Sequence, residues 1–193
     1  MAEARLTSET RTIARTAARL AVMGCGNSFA GDDSFGIEFV ERLRRAGTSG
    51  CTLLDAPHAG PELLDAFEQI DVMLFVDAVS SGWPAGTLHL VPLPWPGLES
   101  RGLAALSNHG WTVGEITRLG LSLGRRLPRL LLLGAELEDV APGAPRSQAV
   151  EQALERAVEE FPQLLKIIEN PEATVWRWPR HFAPGDAGFP GGV

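Results

Sequence analysis

Short apolar runs alternate with longer amphipathic segments along most of the chain, and this alternation restricts the fold more than any other feature. Residues 20–23, 51–54, 72–76 and 129–134 are runs of strand length, and the intervening segments carry apolar residues at helical spacing. This pattern is typical of an α/β domain with a parallel sheet. We therefore predict a single α/β domain, with a twisted, mostly parallel sheet of about five strands and helices on both faces. The fifth strand, residues 87–91, is predicted as antiparallel or as an edge strand.

The predicted helices cover residues 35–45, 60–67, 111–123 and 147–165. The first has Arg44 and Arg45 in its last turn and Gly47 just beyond it, which is a typical helix end. A chain of 193 residues is long enough for one domain with a buried core. We predict a loose N-terminal tail over residues 1–16, one α/β domain over 17–168, and an irregular tail rich in Pro, Gly and Trp over 169–193.

Composition and charge exclude several classes of function. The net charge of −7 provides no basic surface for nucleic acid. Cys25 and Cys51 are the only cysteines, and they lack the spacing of a disulfide scaffold or a zinc site. The sequence has no apolar run long enough for a bilayer and no apolar stretch of a secretory signal near its start. We expect a protein of the cytoplasm with no membrane or nucleic-acid partner.

Polar residues collect where the predicted strands end. In an open α/β sheet, ligands bind outside the carboxyl ends of the strands, close to helix N-termini. Five residues occupy such positions, namely Asp32, Asp33, Asp55, Asp77 and His109. Considered singly, each also suits a turn or a helix cap. Together, they predict a site at the carboxyl edge of the sheet.

The residues alone leave two kinds of site open. Gly24 and Gly26 lie between a strand and a helix, as in a dinucleotide-binding turn, but Phe29 stands where that motif needs its third glycine. Asp32 and Asp33 would also place negative charge where a pyrophosphate binds. The alternative is a divalent-metal site of carboxylates and an imidazole, a ligand set that suits nickel, zinc or iron.

Three segments resemble the motifs of the nickel–iron hydrogenase maturation endopeptidases. The family's opening motif, a Gly-x-Gly-Asn followed after four residues by two acids and a glycine, is similar to Gly24 through Gly36. Its strand-end Asp-Ala and its Ser-x-His are similar to Asp77-Ala78 and Ser107-Asn108-His109. The resemblance covers roughly residues 19–160 and implies a twisted sheet flanked by helices.

This resemblance also implies an activity. Such enzymes, classed as aspartic-type endopeptidases, remove a C-terminal extension from the hydrogenase large-subunit precursor after nickel insertion, and the nickel itself is thought to be recognised. Carried over to this chain, Asp33, Asp77 and His109 are the metal ligands, and Asp32 has a capping or supporting role. The expected partner is the large-subunit precursor, which supplies the nickel; no organic cofactor is implied. We expect the protease to be a monomer.

Two positions differ from the family pattern. The ligand acid is usually Glu, whereas this chain has the shorter Asp33, and the usual Asp-Gly-Gly-Thr is replaced by Asp55-Ala56-Pro57-His58. We predict Asp33, Asp55, Asp77 and His109 as the catalytic set, with Asp55 as one candidate for the general base. An alternative is a partner that binds the nickel-loaded precursor without cutting it. Three tryptophans near the site in sequence are interpreted either as a peptide groove or as core: Trp83, Trp95 and Trp111.

Overall fold

The computed structural model describes residues 19–55, 63–93, 113–169 and 180–182 of the chain. In chain order these contain β1 (Leu20–Gly24), a 3₁₀ turn (Gly31–Ser34), α1 (Phe35–Arg45), β2 (Thr52–Asp55), α2 (Leu63–Phe67) and β3 (Val72–Val79). They continue with β4 (Leu88–Leu93), α3 (Val113–Ser122), β5 (Arg129–Glu136), α4 (Gln148–Glu169) and β6 (Arg180–Phe182). No helix in these ranges has the length and hydropathy of a membrane span.

The strands form one sheet in the order β2-β1-β3-β5-β4-β6. β1 runs parallel to β2 and β3, and β3 runs parallel to β5. β4 is antiparallel to both β5 and β6. The predicted α/β architecture with a mostly parallel sheet is confirmed. Because four strands run in the same direction, their carboxyl ends meet at one edge.

The sheet is buried on both faces, which explains why its strands are almost continuously apolar. Alternate residues of each strand point to opposite faces. One set packs with Phe35, Phe39 and Phe161 of α1 and α4. The other packs with Phe67 of α2 and Ile116 of α3. Each face therefore has its own apolar layer, and the helices lie on both sides as predicted.

Element boundaries differ from the predictions mainly in the second half of the chain. α1 matches its predicted range, whereas β5 extends two residues beyond Gly134 and α4 continues to Glu169. The expected irregular tail includes β6, a three-residue strand held by its pairing with β4. Over the described residues the sheet therefore has six strands where about five were predicted. β4 is antiparallel, one of the two arrangements predicted for it, and β6 lies outside it. The predicted N-terminal tail lies outside the described residues.

Candidate active site

The carboxyl edge of the sheet brings two of the predicted acidic residues together. Asp77 lies in β3, the strand between β1 and β5. Asp33 lies in the 3₁₀ turn that follows β1. Their carboxylates are close enough to interact electrostatically, so the negative charge of Asp33 raises the pKa of Asp77. The expected convergence of residues from separate strand ends is therefore observed for this pair.

The carboxyl group of Asp77 is buried and incompletely hydrogen-bonded. Its Oδ1 accepts a hydrogen bond from the Ala78 N–H at 2.9 Å. Its Oδ2 is buried and has no hydrogen-bond partner among the described residues. Burial raises the pKa of Asp77 well above its ordinary value, and the charge of Asp33 raises it further. A buried acceptor without a donor is costly, so this carboxylate is poised to interact with a cation or a proton.

The glycines of the opening motif allow Asp33 to approach Asp77. Gly26 has a φ of 113°, and a Cβ at this position would lie 1.9 Å from the Asp33 carbonyl oxygen and 3.5 Å from Asp77 Oδ1. That carbonyl accepts the Asn27 N–H at 3.0 Å, while the Asp33 N–H donates to the Ala30 carbonyl at 2.9 Å. Only glycine is tolerated at position 26, because φ is positive and a Cβ would clash with the Asp33 carbonyl oxygen. The Gly-x-Gly sequence therefore lets the turn that carries Asp33 pack close to Asp77.

Asp32 is buried, and both oxygens of its carboxylate accept hydrogen bonds from the backbone of the segment between β5 and α4. Its Oδ2 accepts the N–H groups of Glu138 and Asp139 at 2.8 and 3.0 Å. Its Oδ1 accepts the N–H of Ser147 at 2.7 Å, just before α4 begins. Both oxygens are therefore occupied by backbone donors, which agrees with the predicted capping or supporting role. Of the two neighbouring acids, Asp33 is the one whose charge acts on Asp77.

The remaining predicted site residues are only partly described. Asp55 ends β2, where its backbone pairs with Gly24, but its side chain is outside the described part of the structure. His109 also lies outside the described residues, four positions before α3 begins. Within the described ranges, no three His, Cys, Asp or Glu side chains are grouped as a metal site. The prediction of Asp33, Asp77 and His109 as ligands therefore rests structurally on the first two.

Cys25 lies beside this pair but is unsuited to be a nucleophile. The thiol is buried, and its N–H donates to the Val76 carbonyl at 2.8 Å. Burial raises the pKa of Cys25, and the negative charge of Asp77 adds to this effect. The thiol therefore stays protonated at neutral pH and reacts poorly. Cys25 instead packs in the apolar layer on one face of the sheet.

A third buried acidic residue at the same edge, after Asp32 and Asp77, is absent from the predicted set. Glu136 ends β5, and its Oε2 lies 3.1 Å from Nε2 of the buried His89 in β4. Two signals point to these residues: Glu136 ends an apolar run, as Asp55 and Asp77 do, and His89 interrupts the apolar strand between Leu88 and Leu90. The predicted β5 ended at Gly134 and so stopped short of Glu136.

Comparison with known proteins identifies the family. Residues 37–163 match the family model HycI, described as hydrogenase maturation protease. The chain belongs to this protease family. It is 33% identical over 160 residues to the hydrogenase expression/formation protein HupD of Thiocapsa roseopersicina. This alignment covers 77% of the chain and 70% of the relative. It is 29% identical to HoxM of Azotobacter vinelandii over 74% of the chain and 70% of the relative.

Solved structures show that the protease shares the fold of maturation endopeptidases. The maturating endopeptidase HybD from E. coli aligns with a TM-score of 0.64 at 22% identity, over 85% of this chain and 96% of that one. The maturation protease HycI from Thermococcus kodakarensis aligns with a TM-score of 0.59 at 24% identity, over 78% and 94%. The chain is thus a hydrolase of the hydrogenase maturation protease family, which favours the protease interpretation over the dinucleotide-binding alternative.

Proposed function

We propose that this protease removes the C-terminal extension of a nickel–iron hydrogenase large-subunit precursor after nickel has been inserted, and that it recognises the inserted nickel. The observation that carries the proposal is the buried Asp77 carboxylate, whose Oδ2 lacks a partner among the described residues. An acceptor of this kind, with a second carboxylate beside it, suits a cation that arrives with the substrate.

The donor set fits nickel as a substrate-borne ion. Asp33 and Asp77 supply two carboxylates, one from the 3₁₀ turn and one from β3, and His109 is proposed as the imidazole ligand. Carboxylate and imidazole ligands suit first-row divalent metals. A partly exposed Asp33 also leaves one side of the pair accessible to a large substrate. The shorter Asp33 is proposed to serve in place of the family's usual Glu.

The residues of the protease have separable roles in this reaction. Nickel, when held with the precursor, supplies polarisation of the scissile carbonyl or of a water molecule. Asp77 must be ionised to bind a cation, so precursor binding releases any proton that Asp77 carries. Asp55 is proposed as the general base; it ends the strand next to β1. We also propose the cytoplasm as the compartment, which suits the unpaired Cys25 and Cys51.

The proposal is tested by intact-mass analysis of the precursor after incubation with the protease. Nickel-loaded and nickel-free precursors are compared, because nickel recognition requires that only the loaded form loses a discrete C-terminal fragment. Asp77→Asn is the test variant, and Asp65→Asn, an exposed acid of α2, is the matched control. Cleavage by the control but not by Asp77→Asn supports the assigned role.

Two other outcomes would contradict parts of the proposal. Equal cleavage of both precursor forms would exclude nickel as the recognition element. Formation of a complex without any mass change would favour the alternative, a partner that binds the nickel-loaded precursor without cutting it. Undiminished cleavage by Asp77→Asn would remove Asp77 from the reaction.

A further inference from the structure

The loop between β3 and β4, residues 80–87, is fixed to the carboxyl edge by a buried carboxylate. Glu136 Oε1 accepts the N–H groups of Ser81 and Gly82 at 2.6 and 2.8 Å. Its Oε2 accepts the Ser81 hydroxyl at 2.7 Å. The Glu136 carbonyl also accepts the Gly86 N–H at 2.8 Å. One residue thus holds both the start and the end of this β3–β4 loop.

Trp83 lies at the centre of the β3–β4 loop and stays accessible. The loop closes on itself on the far side of Trp83, where the Thr87 hydroxyl donates to the Pro84 carbonyl at 2.6 Å. The indole meets the His89 ring edge-on, with centroids 6.1 Å apart. Even so, Trp83 is 44% exposed. A large aromatic side chain on a fixed loop binds a partner with little loss of conformational entropy.

Strand register relates Trp83 to the acidic pair. Asp77 pairs with Gly134, and Gly134 pairs with His89, so the three form one row across β3, β5 and β4. Paired residues project from the same face of a sheet. At about 4.8 Å per strand, the Cα atoms of Asp77 and His89 are about 10 Å apart, a distance that an extended peptide spans in about three residues. Trp83, in contact with His89, is therefore within a short reach of the reacting bond.

We propose that Trp83 is a subsite for an apolar side chain of the precursor, a few residues from the scissile bond, with Glu136 and His89 as its positioning residues. This rests on the proposed function, because an endopeptidase holds chain on both sides of the bond that it cuts. With that bond at Asp33 and Asp77, the segment directed toward β4 crosses the β3–β4 loop. The occupant is therefore the precursor segment beside the cleavage site.

The first experiment measures KM and kcat for the nickel-loaded precursor with Trp83→Ala, Trp83→Phe and Leu121→Ala. Trp83→Ala is expected to raise KM about tenfold while kcat stays within about twofold. Trp83→Phe restores most of the affinity, because an aromatic ring is retained. Leu121 is the control, because it is also exposed but lies in the last turn of α3. This helix leads to the start of β5, at the end of the sheet away from the carboxyl edge. Leu121→Ala is expected to leave both constants unchanged.

The second experiment identifies the occupant from the substrate side. Apolar residues of the precursor within about four positions of the cleavage point are changed singly to Ser. One of them is expected to raise KM for the wild-type protease and not for Trp83→Ala, because coupled partners are not additive. Glu136→Gln tests positioning: it is expected to raise KM, and to add little when combined with Trp83→Ala.

Clear outcomes separate the failure of this inference from the failure of the proposed function. If the wild type cleaves and Trp83→Ala has an unchanged KM, the subsite is refuted. An equal rise in KM for Leu121→Ala would refute it as well. If the wild type does not cleave, the Kd of the nickel-loaded precursor is compared between wild type and Trp83→Ala: a weaker Trp83→Ala complex retains the binding role of Trp83 without proteolysis, and equal Kd values reject it.

Discussion

Asp32 and Asp77 are both buried at the carboxyl edge of the sheet, but their surroundings differ. Three backbone N–H groups donate to the two oxygens of Asp32. Asp77 receives one such bond, and its second oxygen has no partner among the described residues. A satisfied buried carboxylate stabilises the loops around it, whereas an unsatisfied one costs stability. The comparison teaches that burial alone does not distinguish these two acids; the unfilled acceptor of Asp77 does.

Of the changes to Asp32 and Asp77, Asp77→Asn should lower the cleavage rate the most. Under the proposed function, removing the charge is expected to lower kcat/KM for the nickel-loaded precursor about a thousandfold, in the range found when a group that acts on the reacting centre is removed. Intact-mass kinetics measure the rate, and circular dichroism verifies the fold. A loss of less than about tenfold would contradict the contrast with Asp32.

Asp32→Ala should act on stability more than on chemistry. Three backbone donors lose their acceptor, so the free energy of unfolding is expected to fall by about 3 kcal/mol. Urea denaturation measures the loss, and cleavage normalised to the folded fraction measures the rate. Asp139→Asn serves as the control, because the Asp139 side chain accepts only a local N–H, that of Ala141. A folded-state rate as low as that of Asp77→Asn would show that both acids belong to the reaction.

The pH dependence of stability sharpens the comparison further. The raised pKa of Asp77 means that the folded protein holds this proton more tightly than the unfolded chain does. Asp77 therefore destabilises the wild type above the raised pKa, and this penalty disappears as the pH falls toward the unfolded value of about 3.9. Asp77→Asn should accordingly have a higher Tm than wild type at pH 8, and the difference should vanish near pH 4, as measured by calorimetry. A constant difference across this range would rule out the titration of Asp77 as its cause.

The smallest expected effect is the change in the pKa of Asp77 caused by Asp33→Asn. This change removes the nearby negative charge, so the pKa of Asp77 should fall toward its ordinary value. The fall should be partial, because burial is the larger cause of the shift and remains in place. Carboxyl-carbon NMR titration of the two proteins measures it. A pKa of Asp77 that does not move would show that the two carboxylates do not face each other.

Local patterns in the sequence were sufficient for most of the fold. α1 was predicted with its boundaries because Arg44, Arg45 and Gly47 mark its end. β6 could not be predicted, because three residues form a strand only through their register with β4. The predicted α4 ends at residue 165, whereas the helix continues to Glu169 because Ile168, one turn further, packs in the core.

The candidate site was predictable in its residue types but not in its detail. The position of Asp77 after an apolar run and the resemblance to a known motif indicated its importance. Whether Asp32 or Asp33 faces it depends on contacts with residues more than one hundred positions away. The Glu136–His89 pair likewise depends on the antiparallel register of β4 and β5, which no local pattern specifies.

The Asp32 carboxylate has a consequence for the timing of assembly during synthesis. Strands β1, β2 and β3 are complete once residue 79 has been made, but the donors to Asp32 are at residues 138, 139 and 147. A nascent chain that ends before them lacks the clamp on the turn that carries Asp33. The sheet can therefore begin to form early, while the acidic pair reaches its final geometry only after the start of α4 leaves the ribosome. A ribosome-bound fragment ending near β5 contains Asp33 and Asp77 but lacks the three donors that hold Asp32, the neighbour of Asp33.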